Sequence, residues 1–103
     1  MKREIHKNLR GGMGEVTTYT SVVRSFGFFG PKKGKFIILV LGPKASIGMH
    51  RHEKDSEIYV TLNRKIRFCR SKQWAMTNHC KRGNVHSAKN LGNKKALIFA
   101  YKY

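Results

Sequence analysis

Apolar residues in this chain recur with a period of two rather than 3.6, in short runs set between glycines and prolines. Ile58, Val60 and Leu62 alternate with Tyr59 and Thr61, the pattern of a half-buried strand. Phe36-Ile37-Ile38-Leu39-Val40-Leu41 is an unbroken apolar run, which predicts a strand buried on both faces. Segments rich in β-branched and aromatic residues predict strands over 15–23, 35–41, 48–52, 58–62, 66–70, 85–88 and 96–101. Turns are signalled between them at Gly11-Gly12-Met13-Gly14, Gly30-Pro31, Gly42-Pro43, Gly83-Asn84 and Gly92-Asn93. Many short strands at close spacing predict an all-β fold, an antiparallel sandwich or barrel.

The 103 residues suffice for a single core. No stretch is long and apolar enough to cross a membrane as a helix, and the opening MKREIHKNLR lacks the apolar block of a secretory signal. Cys69 and Cys80 stand in no metal-ligand spacing, and so sparse a pair does not read as a disulfide framework. The expectation is a reduced, cytoplasmic protein with no membrane partner.

Charge changes the picture of partners. Twenty-two Lys and Arg against five Asp and Glu give a formal +17, a field that draws in polyanions and small anions. The cations are spread from Lys2 to Lys102, with denser groups at Lys32-Lys33-Gly34-Lys35, Arg64-Lys65-Ile66-Arg67 and Lys94-Lys95. Scattered lysine more often coats a solvated surface than marks a nucleic-acid footprint, so nucleic acid ranks below a small anion as partner. The acids, in contrast, are grouped: Glu53, Asp55 and Glu57, three of the five, follow directly on His52. They offset the cationic field where a metal would have to bind.

Several motif matches fail. Gly30-Pro31-Lys32-Lys33-Gly34-Lys35 has one residue too few for a phosphate loop, with Phe36 where Ser or Thr is needed, and reads as a cationic turn. Gly12-Met13-Gly14 lacks the third glycine of a dinucleotide fingerprint, and Ser56 stands where a metalloprotease helix would carry its second histidine. Cys80 reads as a buried structural thiol, with a nucleophilic pairing to His79 or His86 as the alternative. His6 and His79 read as surface or turn residues, and Trp74 as core.

His50-Arg51-His52 is different in kind. Histidines at i and i+2 share a face only on an extended strand, and Arg51 then points the other way. With Glu57 from an adjacent antiparallel strand and His86 from a third, the set suits a first-row divalent metal. The competing reading is two surface histidines, a salt-bridged glutamate and an unrelated core histidine. By strand parity Tyr59 and Thr61 share the face of Glu57 and line the interior, and Ser46 and Met49 lie near its mouth.

The run Gly48-Met49-His50-Arg51-His52-Glu53-Lys54-Asp55-Ser56-Glu57-Ile58-Tyr59-Val60-Thr61-Leu62 resembles the first cupin motif, and Gly83-Asn84-Val85-His86-Ser87-Ala88-Lys89-Asn90 resembles the end of the second. The stretches Arg10-Gly11-Gly12-Met13-Gly14-Glu15-Val16 and Pro43-Lys44-Ala45-Ser46-Ile47-Gly48 are similar to small bacterial single-domain cupins described as oxalate-decarboxylase-like. The resemblance implies one domain over 1–103, a jelly-roll β-barrel or sandwich, with the first motif in 42–64 and the second in 75–90. It implies one divalent metal, manganese foremost and iron, nickel or zinc otherwise, held by His50, His52, Glu57 and His86. Asn90 matches the motif's asparagine and is expected to hydrogen-bond loop backbone. The family pattern has Gly or Pro where this chain has Lys44, Arg64, Ala75 and Lys81, so the turns there must differ or carry strain. The segment 65–74 is shorter than usual, which leaves the barrel more open on one side.

Three functions follow. In the first, the metal acts as a Lewis acid on a small anionic ligand, in decarboxylation, dioxygenation or isomerisation, with Tyr59 as candidate acid or base. In the second, the domain is a non-catalytic sensor of a sugar or acid. In the third it is a polyanion scaffold using Lys32, Lys33, Lys35, Arg64, Lys65 and Arg67. A homodimer is expected, with the N-terminal segment 1–14 pairing across a two-fold axis.

Overall fold

A computed structural model of the chain describes residues 1–27, 30–62, 65–69 and 75–103. Its strands are β1 (Lys2–Lys7), β2 (Glu15–Gly27), β3 (Gly30–Leu41), β4 (Ser46–Arg51), β5 (Glu57–Thr61), β6 (Ile66–Phe68), β7 (Thr77–Cys80), β8 (Val85–Asn90) and β9 (Ala96–Lys102). They form two antiparallel sheets, one of six strands in the order β1-β2-β3-β9-β5-β7 and one of three in the order β4-β8-β6. The architecture is a β-sandwich. Among the described residues the only helical element is a 3₁₀ turn, Leu9–Gly11, and none is long and apolar enough to cross a membrane.

Alternation builds the core. Ile37, Leu39 and Leu41 of β3, with Ile98 and Ala100 of β9, meet Ile47 of β4, Ala88 of β8 and Ile66 and Phe68 of β6 in one buried cluster. The run 36–41 is therefore buried on one face only: Phe36 is 38% exposed, and Ile38 and Val40 are half-buried. β5 inverts the usual arrangement. Glu57, Tyr59 and Thr61 point inward and are buried, while Val60 and Leu62 are exposed. Its inner face is polar because it carries the site.

Two segments differ from expectation. β7 has no apolar alternation in its own sequence and exists by pairing with β5, Glu57 opposite Cys80 and Tyr59 opposite Asn78. The expected cationic turn at Gly30–Lys35 is strand instead. β2 and β3 stay in register out to Gly27 opposite Gly30. Pro31 is tolerated there because β3 gains its second neighbour, β9, only from Lys35 onward, and a one-sided strand can spare an N–H. β1 pairs along one edge with β2 of its own chain.

Candidate metal centre

Four strand-end side chains from both sheets meet inside one end of the sandwich. β4 and β8 are neighbours, with His50 directly opposite His86, and the chain leaves β4 with His52 still turned inward. Glu57 arrives differently from the expectation. β5 is not adjacent to β4 but lies in the other sheet between β9 and β7, so the segment 52–56 crosses the sandwich. Backbone bonds fix both ends of that crossing: His52 with Asn84 and Gly83, and Ser56 with Tyr103. His52, Glu57 and His86 are buried and His50 is half-buried.

The imidazoles are turned the same way. His86 Nε2 lies 3.0 Å from His50 Nε2 and 2.8 Å from His52 Nε2. Glu57 Oε1 lies 3.1 Å from His52 Nε2 and 3.2 Å from His86 Nε2. All four donor atoms fall within 4.8 Å of one another. Each ring's other nitrogen faces an oxygen: His50 Nδ1 the Gly48 carbonyl at 2.8 Å, His52 Nδ1 the Asp55 carboxylate at 2.7 Å, His86 Nδ1 the Asn78 carbonyl oxygen at 3.0 Å. A ring that donates its Nδ1 proton outward is held in the tautomer whose Nε2 bears a lone pair. In that tautomer three lone pairs and a carboxylate oxygen converge on one point, an arrangement that positive charge between them stabilises. These residues fit a divalent cation, and the outward partners are those that orient metal-bound histidines.

The surroundings act on two of the donors, His50 and Glu57. Burial is the largest influence on His50 and lowers its pKa; the Gly48 carbonyl opposes this, while His86, His52 and Arg10 lower it further. Burial is also the largest influence on Glu57 and pushes it upward, but the His86 hydrogen bond, Lys102, and the charges of His86 and His52 together leave it below its usual value. Tyr59 stacks flat on His86, centroids 4.6 Å apart at 12°, and its hydroxyl bonds Glu57. Burial, then Glu57, raise its pKa well above the phenol range, so it stays protonated and positions two of the four donors.

The remaining candidates are spread around this centre. Thr61 is buried and donates to the Leu97 carbonyl at 2.8 Å. Met49 and Ser46 line a depression beyond the cluster, together with Met13, Arg67 and Lys89, and Ser46 accepts from the Met13 N–H. Alternation turns Met49 away from the interior that His50 faces. Asn90 is fully buried and bonds only loop backbone: the Leu41, Gly42 and Lys94 carbonyls and the Gly92 N–H. His6 bonds Thr18, and His79 bonds Tyr103 on the surface. Cys80 is buried with its thiol directed at the Asn84 carbonyl, and burial raises its pKa, the profile of a structural thiol. Lys35 and Arg67 lie in different sheets, and Arg64 and Trp74 fall outside the described residues, as does most of the shortened segment.

Sequence reading missed Asn78, whose strand carries no pattern of its own, and the separate duties of Asp55 and Glu57 within the acidic patch. It also missed a second cavity wall. A cavity of about 170 Å³ opens beside Glu57 and Tyr59, bordered by Arg10, Thr18, Thr20 and Lys102 over an apolar floor of Ile37, Leu39 and Ile47. Arg10 sits in left-handed backbone, φ 56°, on the 3₁₀ turn. That turn is pressed onto β4 at two glycines, where a side chain on Gly48 would collide with the Arg10 carbonyl and one on Gly12 with the Ser46 carbonyl.

No family model matches the chain, and no curated protein matches it. Solved structures do. A predicted oxalate decarboxylase from Thermotoga maritima matches 99% of this chain and 91% of its own, with a TM-score of 0.73 and 24% identity. KdgF from Halomonas sp. matches over 84% and 77%, TM-score 0.61 and 11% identity. The Cnp3 cupin domain of Schizosaccharomyces pombe matches over 96% and 66%, TM-score 0.59 and 10% identity. At such identities the likeness is one of fold alone. The chain has the fold of a small cupin domain.

Proposed function

We propose that this domain holds one divalent metal ion through His50, His52, Glu57 and His86 and binds a small anionic molecule, a carboxylate or sugar acid, beside it. The observation that carries the reading is the orientation of the rings. Three Nδ1 atoms face oxygens of Gly48, Asp55 and Asn78, and the three Nε2 atoms and Glu57 face each other. Manganese, iron, nickel and zinc all accept this donor set, manganese foremost. When bound, such an ion polarises an oxygen of a coordinated ligand.

The chain's own residues supply the rest. Arg10 and Lys102 border the adjoining cavity, and Thr18 and Thr20 add hydroxyls. Its volume, about 170 Å³, is below the roughly 300–1,000 Å³ typical of drug-sized ligands, so the occupant is compact. The two cations and the overall charge favour an anion there.

Elemental analysis of the purified, tag-free protein beside a His50→Ala/His52→Ala variant tests the metal. Near-stoichiometric metal that disappears in the variant is expected. A protein that stays empty after soaking in each metal contradicts the reading. Calorimetry of small carboxylic acids with metal-loaded protein tests the anion, and Arg10→Ala/Lys102→Ala should weaken binding about tenfold while leaving metal content unchanged. Consumption of a bound acid separates an enzyme from a binding module.

A further inference from the structure

The outer face of the three-stranded sheet sets two cations directly against each other. Arg67 of β6 is the register partner of Lys89 of β8, and Lys89 is the partner of Ser46 of β4, so the three form one row across the sheet. Ile66 and Phe68 around Arg67, and Ala88 and Asn90 around Lys89, are buried, which turns both cations outward. Side chains so placed have Cβ atoms about 5 Å apart, and like charges there destabilise a sheet. Among the described residues no carboxylate answers them: the three strands carry no Asp or Glu, and the ion pairs lie elsewhere. Both cations are only half-exposed, so water and salt screen their repulsion incompletely. The same row lines a depression of about 270 Å³. One wall of it is the turn 11–13, pinned to β4 where the Met13 N–H bonds Ser46 Oγ at 2.9 Å and the Ser46 N–H bonds the Met13 carbonyl at 2.7 Å.

We infer that this depression is a second anion site, which takes the phosphate group of a small phosphate monoester between Arg67 and Lys89. Charge and donors select that group. A monoester carries about −1.5 to −2 at neutral pH, enough to answer both cations and turn their repulsion into two charge-assisted contacts. The guanidinium fork of Arg67 suits two phosphate oxygens side by side. Ser46 Oγ accepts from the Met13 N–H, which leaves its own O–H to donate, and Ser87 brings a second hydroxyl. A carboxylate, with a single charge, would leave one cation unanswered. A polyanion would need the cations to continue along the face, and they do not: the next one, Arg51, bonds the Gly83 carbonyl and is flanked by exposed Met49 and Val85. The site lies across the sheet from His50 and His86 and shares no polar residue with the cavity beside Glu57.

Calorimetry of the full chain at fixed ionic strength, with inorganic phosphate and glucose 6-phosphate as probes, tests the assignment. Arg67→Gln/Lys89→Gln should weaken one equivalent of binding at least about tenfold, an equivalent that Arg10→Ala/Lys102→Ala retains. Lys7→Gln/Lys95→Gln removes two exposed cations elsewhere and should leave that equivalent unchanged. Without phosphate, Arg67→Gln/Lys89→Gln should melt about 2 °C above the wild type, because the opposed charges are gone. Added phosphate should then raise the melting point of the wild type and not that of the variant. Should the double variant lose its β circular dichroism, Lys89→Gln alone carries the test, with the same loss of binding expected. Four results overturn the assignment: a wild type indifferent to both probes, binding unchanged in the Arg67 and Lys89 variants, equal weakening in the Lys7/Lys95 control, or tighter binding of single-stranded DNA with a salt dependence of several phosphates.

Discussion

Two buried polar groups lie at opposite ends of β8, and they differ in what they leave unfinished. Asn90 is closed upon itself: its amide donates to Leu41, Gly42 and Lys94 carbonyls and accepts from the Gly92 N–H. Nothing remains for a ligand. His86, equally buried, has one nitrogen answered by Asn78 and the other facing the lone pairs of two further imidazoles and a carboxylate oxygen. The first group ties loops to the sheet; the second is complete only with a cation. Burial alone does not mark a functional site. The direction of the protons does.

Substitutions at the two ends should separate cleanly. The largest effect is expected from His86→Ala, which removes the donor shared by the other three and should cut metal affinity by more than about a hundredfold, measured by competition with a chelator. Asn90→Ala should lower unfolding free energy by about 3 kcal/mol in urea, since several buried carbonyls lose their donor together, yet leave metal stoichiometry unchanged. Equal loss of metal in both variants would erase the distinction. Asn78→Ala sharpens it further: the donors stay and only the His86 tautomer is freed, so metal affinity should fall by about 10- to 100-fold.

The smallest expected effect concerns a turn. Lys44 holds a φ of 59°, left-handed backbone that favours glycine. Lys44→Gly should therefore stabilise the fold by about 1 kcal/mol, less whatever its ammonium gains from the Leu91 carbonyl. Thermal unfolding with metal bound and removed reads the shift, which should be the same in both states.

Much of this was legible in the chain. Period-two patterning gave the strands of the core, and the i, i+2 spacing of His50 and His52 gave a shared face that the structure realises with both Nε2 atoms on His86. Local patterns do not carry pairing. Nothing near Glu57 tells which sheet it joins, and the crossing at 52–56 became visible only through β5's pairing with β9 and β7. β7 is a strand by partnership rather than by composition, so Asn78 had no signal in its own sequence. The Phe36–Leu41 run was read as doubly buried because apolar residues on an exposed face and in a second core look identical along the chain.

The central claim is that three histidines present lone pairs to one cation. Long-range ¹H–¹⁵N correlation of the imidazoles, before and after one equivalent of Zn(II), tests it most directly. The account predicts Nδ1–H tautomers for His50, His52 and His86, with three Nε2 signals that move together on metal addition while His6 and His79 stay in place. Nε2–H tautomers, or a cluster that does not respond to the metal, would contradict it.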